Sequence, residues 1–393
     1  MAAASLLATG KEQCEAVSQQ EHVVLQANQI GNLIKALVRR NYELVGPTVR
    51  DGAIVYDCIG SPEEFPTGWT DEQEPGHYRL VPRQDQAFFG YAVGPQSWKK
   101  YLHPANVRLC SAERQGKTFR ILNNETQCKR PFAFLGVRAC ELAAIAVQDR
   151  VLLPDKFRDP TYEQRGAGKF IIAVQCTQSA ATCFCASMET GPRITTGYDL
   201  VLTELLGPKG HRFLANSGSA HGTEVLAELE VSAASEDDLR EMEVAVGSAA
   251  DRQTRRIDTN GIKDLLYQNF EHPRWDNVAQ RCLACANCTM VCPTCFCTTV
   301  EDVSDVRGDH AERWRRWDSC FTLGFSYIHG GSIRTSAKAR YRQWMTHKLA
   351  SWIDQFGTSG CVGCGRCVTW CPVGIDITEE IRAIREGGQN GKP

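Results

Sequence analysis

Residues 281–293 read RCLACANCTMVCP, and residues 361–372 read CVGCGRCVTWCP. Both carry the run Cys-x2-Cys-x2-Cys-x3-Cys-Pro, through Cys282, Cys285, Cys288 and Cys292 in the first and Cys361, Cys364, Cys367 and Cys371 in the second. Three thiols at three-residue spacing wrap a short loop around one face of a cubane. The fourth, set apart before a proline, ligates the other cluster in two-cluster proteins. The spacing therefore predicts two [4Fe-4S] clusters with crossed ligation. One takes Cys282, Cys285, Cys288 and Cys371; the other takes Cys361, Cys364, Cys367 and Cys292. Structural zinc typically uses paired C-x2-C knuckles, not a run of three followed by Cys-Pro. Disulfides between cysteines this close in sequence lack the required geometry.

Of the 393 residues, 19 are cysteine, and 11 of these lie between Cys282 and Cys371. A chain this long buries a sizeable core without covalent staples, so the cysteines call for another explanation. Apolar residues make up 42% and charged residues 23%, the composition of a folded protein. The net charge of -2 gives no general attraction to nucleic acid. The opening MAAASLLATGKEQ has no basic segment ahead of an apolar one, and no window approaches the ~18 apolar residues of a membrane span. The expectation is a cytoplasmic protein, where clustered cysteines are more often metal ligands than disulfides.

The fold class expected is α+β, with a mixed α/β domain over residues 1–255 and an all-helical dicluster domain over 256–393. Short β-branched or aromatic runs predict strands at Ala53-Ile59, His77-Pro82, Arg130-Arg138, Lys169-Cys176 and Asp199-Leu205. Apolar spacing predicts helices at 22–40, 139–148, 220–245, 300–316, 335–356 and 377–385. The 68-residue insert from Pro293 to Gly360 is far longer than the link in a compact ferredoxin, hence the all-helical reading.

The insert holds Cys295, Cys297 and Cys320, with Asp318 nearby. They read either as a further partial ligand set or as thiols packed beside the clusters, and packing is preferred. The basic residues Arg334, Lys338, Arg340, Arg342 and Lys348 read as a solvated helix face, or as cations compensating the clusters. In the first half, Cys140 and Cys176 each follow a predicted strand. If those strands are neighbours, both thiols reach one sheet edge, where Cys183 and Cys185 can join them. That makes four thiolates, enough for a third [4Fe-4S] site; the alternative is that Cys140 and Cys176 are small core residues. Cys14, Cys58, Cys110 and Cys128 read as structural thiols. The sequence contains no GxGxxG after a strand, no GxxxxGK[ST], no GxSxG and no HExxH. One-electron transfer is the chemistry that is written in it, and an independent oxidoreductase site in the α/β half is the remaining enzymatic reading.

The chain resembles the iron-sulfur β subunit of soluble sulfhydrogenase-type [NiFe] hydrogenases, and likewise the iron-sulfur subunit of anaerobic sulfite reductases. The motifs that carry this are YELVGP (42–47), GPQSWKK (94–100), PFAFLGVRACELAAI (131–145), TCFCASM (182–188), CPTCFC (292–297) and CVGCGRCVTWCPVGID (361–376). Ala139 stands where family members commonly have proline. The resemblance implies a hetero-oligomer in which this chain relays electrons between a flavin subunit using NAD(P)H and a catalytic module. That module would be a [NiFe] hydrogenase or, alternatively, a sirohaem sulfite reductase. It implies no nucleic-acid partner.

Overall fold

A computed structural model describes residues 22–122 and 130–389. Among these, the largest sheet has eight strands in the order Val231–Ala233, Val23–Gln26, Gly210–Ser217, Leu200–Gly207, Phe170–Val174, Phe132–Val137, Glu43–Arg50 and Ala53–Cys58. The three pairings from Leu200–Gly207 through to Glu43–Arg50 are parallel and the other four antiparallel. Parallel strands are covered on both faces, so they read as unbroken apolar runs. FAFLGV at 132–137 and FIIAV at 170–174 are such runs, with every residue buried.

Alternate side chains of these strands face opposite layers. Ala133, Leu135, Phe170 and Ile172 pack against Leu33, Ile34 and Leu37 of the helix Ile30–Arg39. Phe132, Phe134, Val137 and Ile171 pack against Ile145 of the helix Ala139–Leu152, together with Trp98 and Tyr101. The strand Phe132–Val137, its following helix and the parallel strand Phe170–Val174 form the βαβ unit that places Cys140 and Cys176.

The second half contributes the helices Ile262–Gln268, Arg274–Arg281, Ala337–Thr346 and Ile377–Gln389. Their core joins Leu266, Trp275, Val278, Met345, Leu349, Ile381 and Ile384. The stripe expected over 335–356 is present: Tyr341, Met345, Leu349 and Trp352 are buried. The helix is interrupted by a π-helical turn at His347–Ser351 before it ends at Trp352–Phe356.

The second half is not all-helical. The segment expected as a helix at 300–316 is a hairpin of Thr298–Ser304 with His310–Trp317. It joins Asn106–Gln115 and Thr118–Leu122 in a four-stranded antiparallel sheet. Charges that look like a helix face instead pair across strands: Asp302 with Arg313 at 2.7 Å and Glu301 with Arg316 at 3.3 Å. Two other helix boundaries differ. The stretch 22–40 begins as the edge-region strand Val23–Gln26. The stretch 220–245 is split by Val231–Ala233 into Ala220–Leu226 and Glu236–Asp251. In both cases pairing with a distant strand overrides local helical spacing. Among the described residues no helix is long and apolar enough to cross a membrane.

His103 and Trp317 meet at one end of the four-stranded sheet. The Trp317 indole N–H donates to the His103 carbonyl at 2.9 Å. The His103 ring is buried, and both of its nitrogens lack a partner among the described residues. Burial pushes this imidazole down to about 4, Arg315 and Lys99 push the same way, and Asp159 opposes them. The folded protein thus holds His103 neutral while the unfolded chain, with an ordinary value near 6.5, takes up a proton. Stability from this group is present above pH 6.5 and is lost as pH falls toward 4, by about 3 kcal/mol in all. His103→Phe should flatten that part of the unfolding free energy between pH 7 and 4. A wild-type minus variant difference that stays constant across this window would contradict it.

Candidate iron-sulfur centres

The two cysteine runs fold into the same turn. Residues two and four after the first cysteine have left-handed backbone in both: Ala284 (φ 51°) and Ala286 (φ 66°) in the first, Gly363 (φ 61°) and Gly365 (φ 76°) in the second. This turns successive cysteines toward a common centre. The backbone N–H of Ala284 donates to Cys282 Sγ at 3.4 Å, and that of Ile375 donates to Cys371 Sγ at 3.3 Å. Hydrogen bonds of this kind stabilise a thiolate.

Two cavities result. The first is lined by Cys282, Cys285, Cys288 and Cys371, the second by Cys292, Cys361, Cys364 and Cys367. Each cavity is bordered by three thiols of one run and the fourth of the other, and Cys367 reaches the first cavity as well. Trp344, Cys367 and Ile377 line both cavities and form the wall between them. Among the described residues no three His, Cys, Asp or Glu side chains close around a point tightly enough for a single metal ion. The thiols border a space instead.

The donor chemistry fits a [4Fe-4S] group. All of the metal-binding side chains in both walls are thiols, set among Phe321, Tyr341, Trp344 and Ile377. The Tyr341 hydroxyl and Trp344 indole N–H are buried and have no protein partner among the described residues. Buried donors without partners are costly, and both face cavities where sulfide would accept. Burial pushes the Cys288 and Cys367 thiols well up, with neighbouring thiols adding to it, and pushes Cys361 up to about 12. A cationic core would favour the ionised form of such thiols, which couples metal binding to folding.

The strands before Cys140 and Cys176 are adjacent and parallel, with Val137 opposite Ala173. Both thiols therefore sit at the carboxyl end of the sheet. Cys140 and Cys185 share one packed cluster with Val93, Val362 and Cys364. Cys183 interacts electrostatically with Cys185, Cys176 and Cys364. Burial and the adjacent thiols push Cys140 and Cys183 well up, and burial pushes Cys185 up to about 12. The 182–185 loop docks on the second run: Phe184 N–H donates to the Gly363 carbonyl at 2.9 Å, and the Thr190 hydroxyl to the Val362 carbonyl at 2.7 Å.

Of the insert cysteines, Cys295 lies against Cys292, whereas Cys297 and Cys320 pair with each other. A thiol hydrogen bond from Cys295 holds Cys292 well below its usual value, against burial and with help from Lys348 and Thr294. Cys320 does the same for Cys297, which falls to about 7. The Asp318 carboxylate accepts the Ser319 backbone N–H at 2.7 Å, so it caps a turn. Cys58 is exposed, beside Glu43 at 3.3 Å, and Cys110 is half-buried on a strand. Cys14 and Cys128 lie outside the described residues. Of the basic helix residues, Lys338 and Arg342 pair with Glu271 and Asp276 at the surface, whereas Lys348 is buried.

Sequence reasoning did not find Glu141, Arg366 or Lys99. Arg366 stands between two of the run's cysteines and is fully buried against Glu141 at 2.5 Å. Lys99 is buried over the Trp317 ring at 3.9 Å and donates to the Cys295 carbonyl at 3.2 Å. An arginine inside a cysteine run was the available signal for the first; nothing local marks the other two.

Fold and site together define an iron-sulfur protein. The chain matches the family model of a 4Fe-4S dicluster domain over residues 281–375. It is 34% identical over 259 residues to the sulfhydrogenase 2 subunit beta of Pyrococcus furiosus, an alignment spanning 65% of this chain and 75% of that protein. No solved structure matches it. The chain belongs to the sulfhydrogenase β-subunit family, and its role is iron-sulfur electron transfer.

The two glycines of the second run have a testable function. A Cβ on Gly365 would strike the Thr182 carbonyl oxygen, and one on Gly363 would lie 2.7 Å from the Cys185 backbone. Gly357, with φ 68°, has nothing within 4 Å. Gly357→Ala should cost only the left-handed backbone penalty of about 1–2 kcal/mol. Gly365→Ala should lower the thermal midpoint by clearly more and expose the 182–185 loop to hydrogen exchange. Equal midpoints for the two variants would show that the loops do not depend on close contact.

Proposed function

We propose that this chain is the electron-relay subunit of a hydrogenase-like complex in the cytoplasm, passing single electrons between a flavin subunit that uses NAD(P)H and a [NiFe] catalytic module. In this reading Cys282, Cys285, Cys288 and Cys371 hold one [4Fe-4S] cluster, and Cys361, Cys364, Cys367 and Cys292 hold the second. Cys140, Cys176, Cys183 and Cys185 hold a third, in the α/β part that ends near residue 255. The observation that carries the reading is the continuity of the three thiol groups. The first two share a wall at Trp344, Cys367 and Ile377, and the third packs against Cys364.

Bound clusters supply one-electron transfer with little change in geometry. The chain's own residues hold them in line, exclude water with aromatic walls, and donate N–H and O–H groups to sulfur. Cys285 and Leu283 are exposed, so the first centre lies nearest the surface and suits exchange with a partner. Cys295 then acts by hydrogen bonding to Cys292, and Cys297 and Cys320 act as a second hydrogen-bonded, packed pair of thiols.

The test uses the purified complex with Cys364→Ser. The flavin half-reaction with artificial dyes should persist, whereas coupled turnover between NAD(P)H and the catalytic module should be lost. Coupled turnover at the wild-type rate would contradict the relay role.

A further inference from the structure

The two thiol-lined cavities differ in charge. No ionic side chain other than cysteine lines the first. The second has one, Lys348. Its ammonium donates to Cys292 Sγ at 3.2 Å and to the Thr294 hydroxyl at 2.9 Å. The side chain is only 5% exposed. Thr294 in turn donates to the Gly360 carbonyl at 2.7 Å, so its oxygen is left to accept from Lys348.

Among the described residues no carboxylate forms an ion pair with Lys348. The groups that support its charge are the sulfurs of Cys292, Cys295 and Cys361, and Cys292 is the one it touches. Arg366, buried beside Cys364 but outside the lining of this cavity, is already neutralised by Glu141 at 2.5 Å. Burying an ammonium is costly unless an anion compensates it. Here that anion is the thiolate set itself.

The backbone is arranged to aim this one side chain. Lys348 sits in the π-helical turn His347–Ser351, which interrupts an otherwise α-helical run. Such turns are frequent at functional sites. The Lys348 carbonyl accepts the Gly360 N–H at 2.7 Å and the Ser359 hydroxyl at 3.2 Å, so the residue is tied to the chain just before Cys361.

We propose that Lys348 sets the potential of the second centre, making it the more readily reduced of the two and hence the place where an electron rests within the relay. The inference builds on the ligand sets proposed above. Reduction adds one electron and one negative charge to the cluster and its thiolates; no bond forms or breaks, and no proton is required. A fixed cation in a low-dielectric wall stabilises the more negative state more strongly. Lys99, whose ammonium reaches the Cys295 carbonyl, adds to the same field from further away. The first cavity is lined by the neutral donors Tyr341 and Trp344, and its nearest cation, Arg340, acts on Cys282 from outside that lining, so its reduced state is stabilised less.

The experiment is a dithionite titration of the anaerobically purified full chain with redox mediators, followed by EPR. The signal absent from Cys364→Ser identifies the second centre. Iron and sulfide are measured first for each variant. In Lys348→Met with full iron, the second-centre signal should titrate at a lower potential while the other stays in place, and Lys348→Arg should remain near wild type. If the methionine variant loses iron, Lys348→Gln, which keeps a polar head without the charge, should show the same shift. Unchanged potentials in an iron-replete uncharged variant overturn the proposal alone. A wild-type chain lacking the second signal overturns the ligand assignment, and the role of Lys348 with it.

Discussion

One buried carboxylate holds the two halves of this protein in register. Glu141, in the first turn of the helix after the FAFLGV strand, accepts from the Tyr56 hydroxyl at 2.8 Å, the Trp98 indole at 3.0 Å, the Arg138 backbone N–H at 3.2 Å and the Arg366 guanidinium at 2.5 Å. Arg366 also donates to the carbonyls of Gly94 and Gln96 at 2.8 Å each. Both partners of the ion pair are essentially inaccessible to solvent. Breaking such a pair by removing one side leaves an uncompensated buried charge, at a cost of about 3–5 kcal/mol. Because Glu141 follows Cys140 and Arg366 lies between Cys364 and Cys367, the pair fixes the sheet-edge thiols against the second cysteine run.

From that anchor the rest of the centre is ordered by close contact. Gly363 and Gly365 let the 182–185 loop lie directly on the run, and Trp344 and Ile377 divide the two cavities. The first run needs no glycine at the equivalent positions: Ala284 and Ala286 adopt the same left-handed turn. The difference between Ala and Gly in two otherwise repeated motifs records which of them carries a neighbour. It also explains why the walls differ electrostatically, since only the second run is enclosed by elements that bring in Lys348, Arg366 and Lys99.

Much of this could be read from the sequence because cluster ligation is local. Spacing alone sets which three thiols share a loop, and the proline after the fourth marks it as separate. The apolar runs at 132–137 and 170–174 were legible for the same reason, since each strand is buried on both faces. The hairpin at 298–317 was not. Its charges pair across strands, and its sheet is completed by Asn106–Gln115, nearly two hundred residues away. The turn signal Asp305-Val306-Arg307-Gly308, with Gly308 at φ 70°, was the only local hint. Lys348 was read with its helix neighbours as one basic stripe; a single π-helical turn takes it out of that stripe and buries it.

The continuity of three thiol groups is tested most directly by iron and acid-labile sulfide analysis of the anaerobically purified full chain. Three centres require about twelve of each per chain. About eight of each would leave Cys140, Cys176, Cys183 and Cys185 as packed thiols and contradict the three-centre relay.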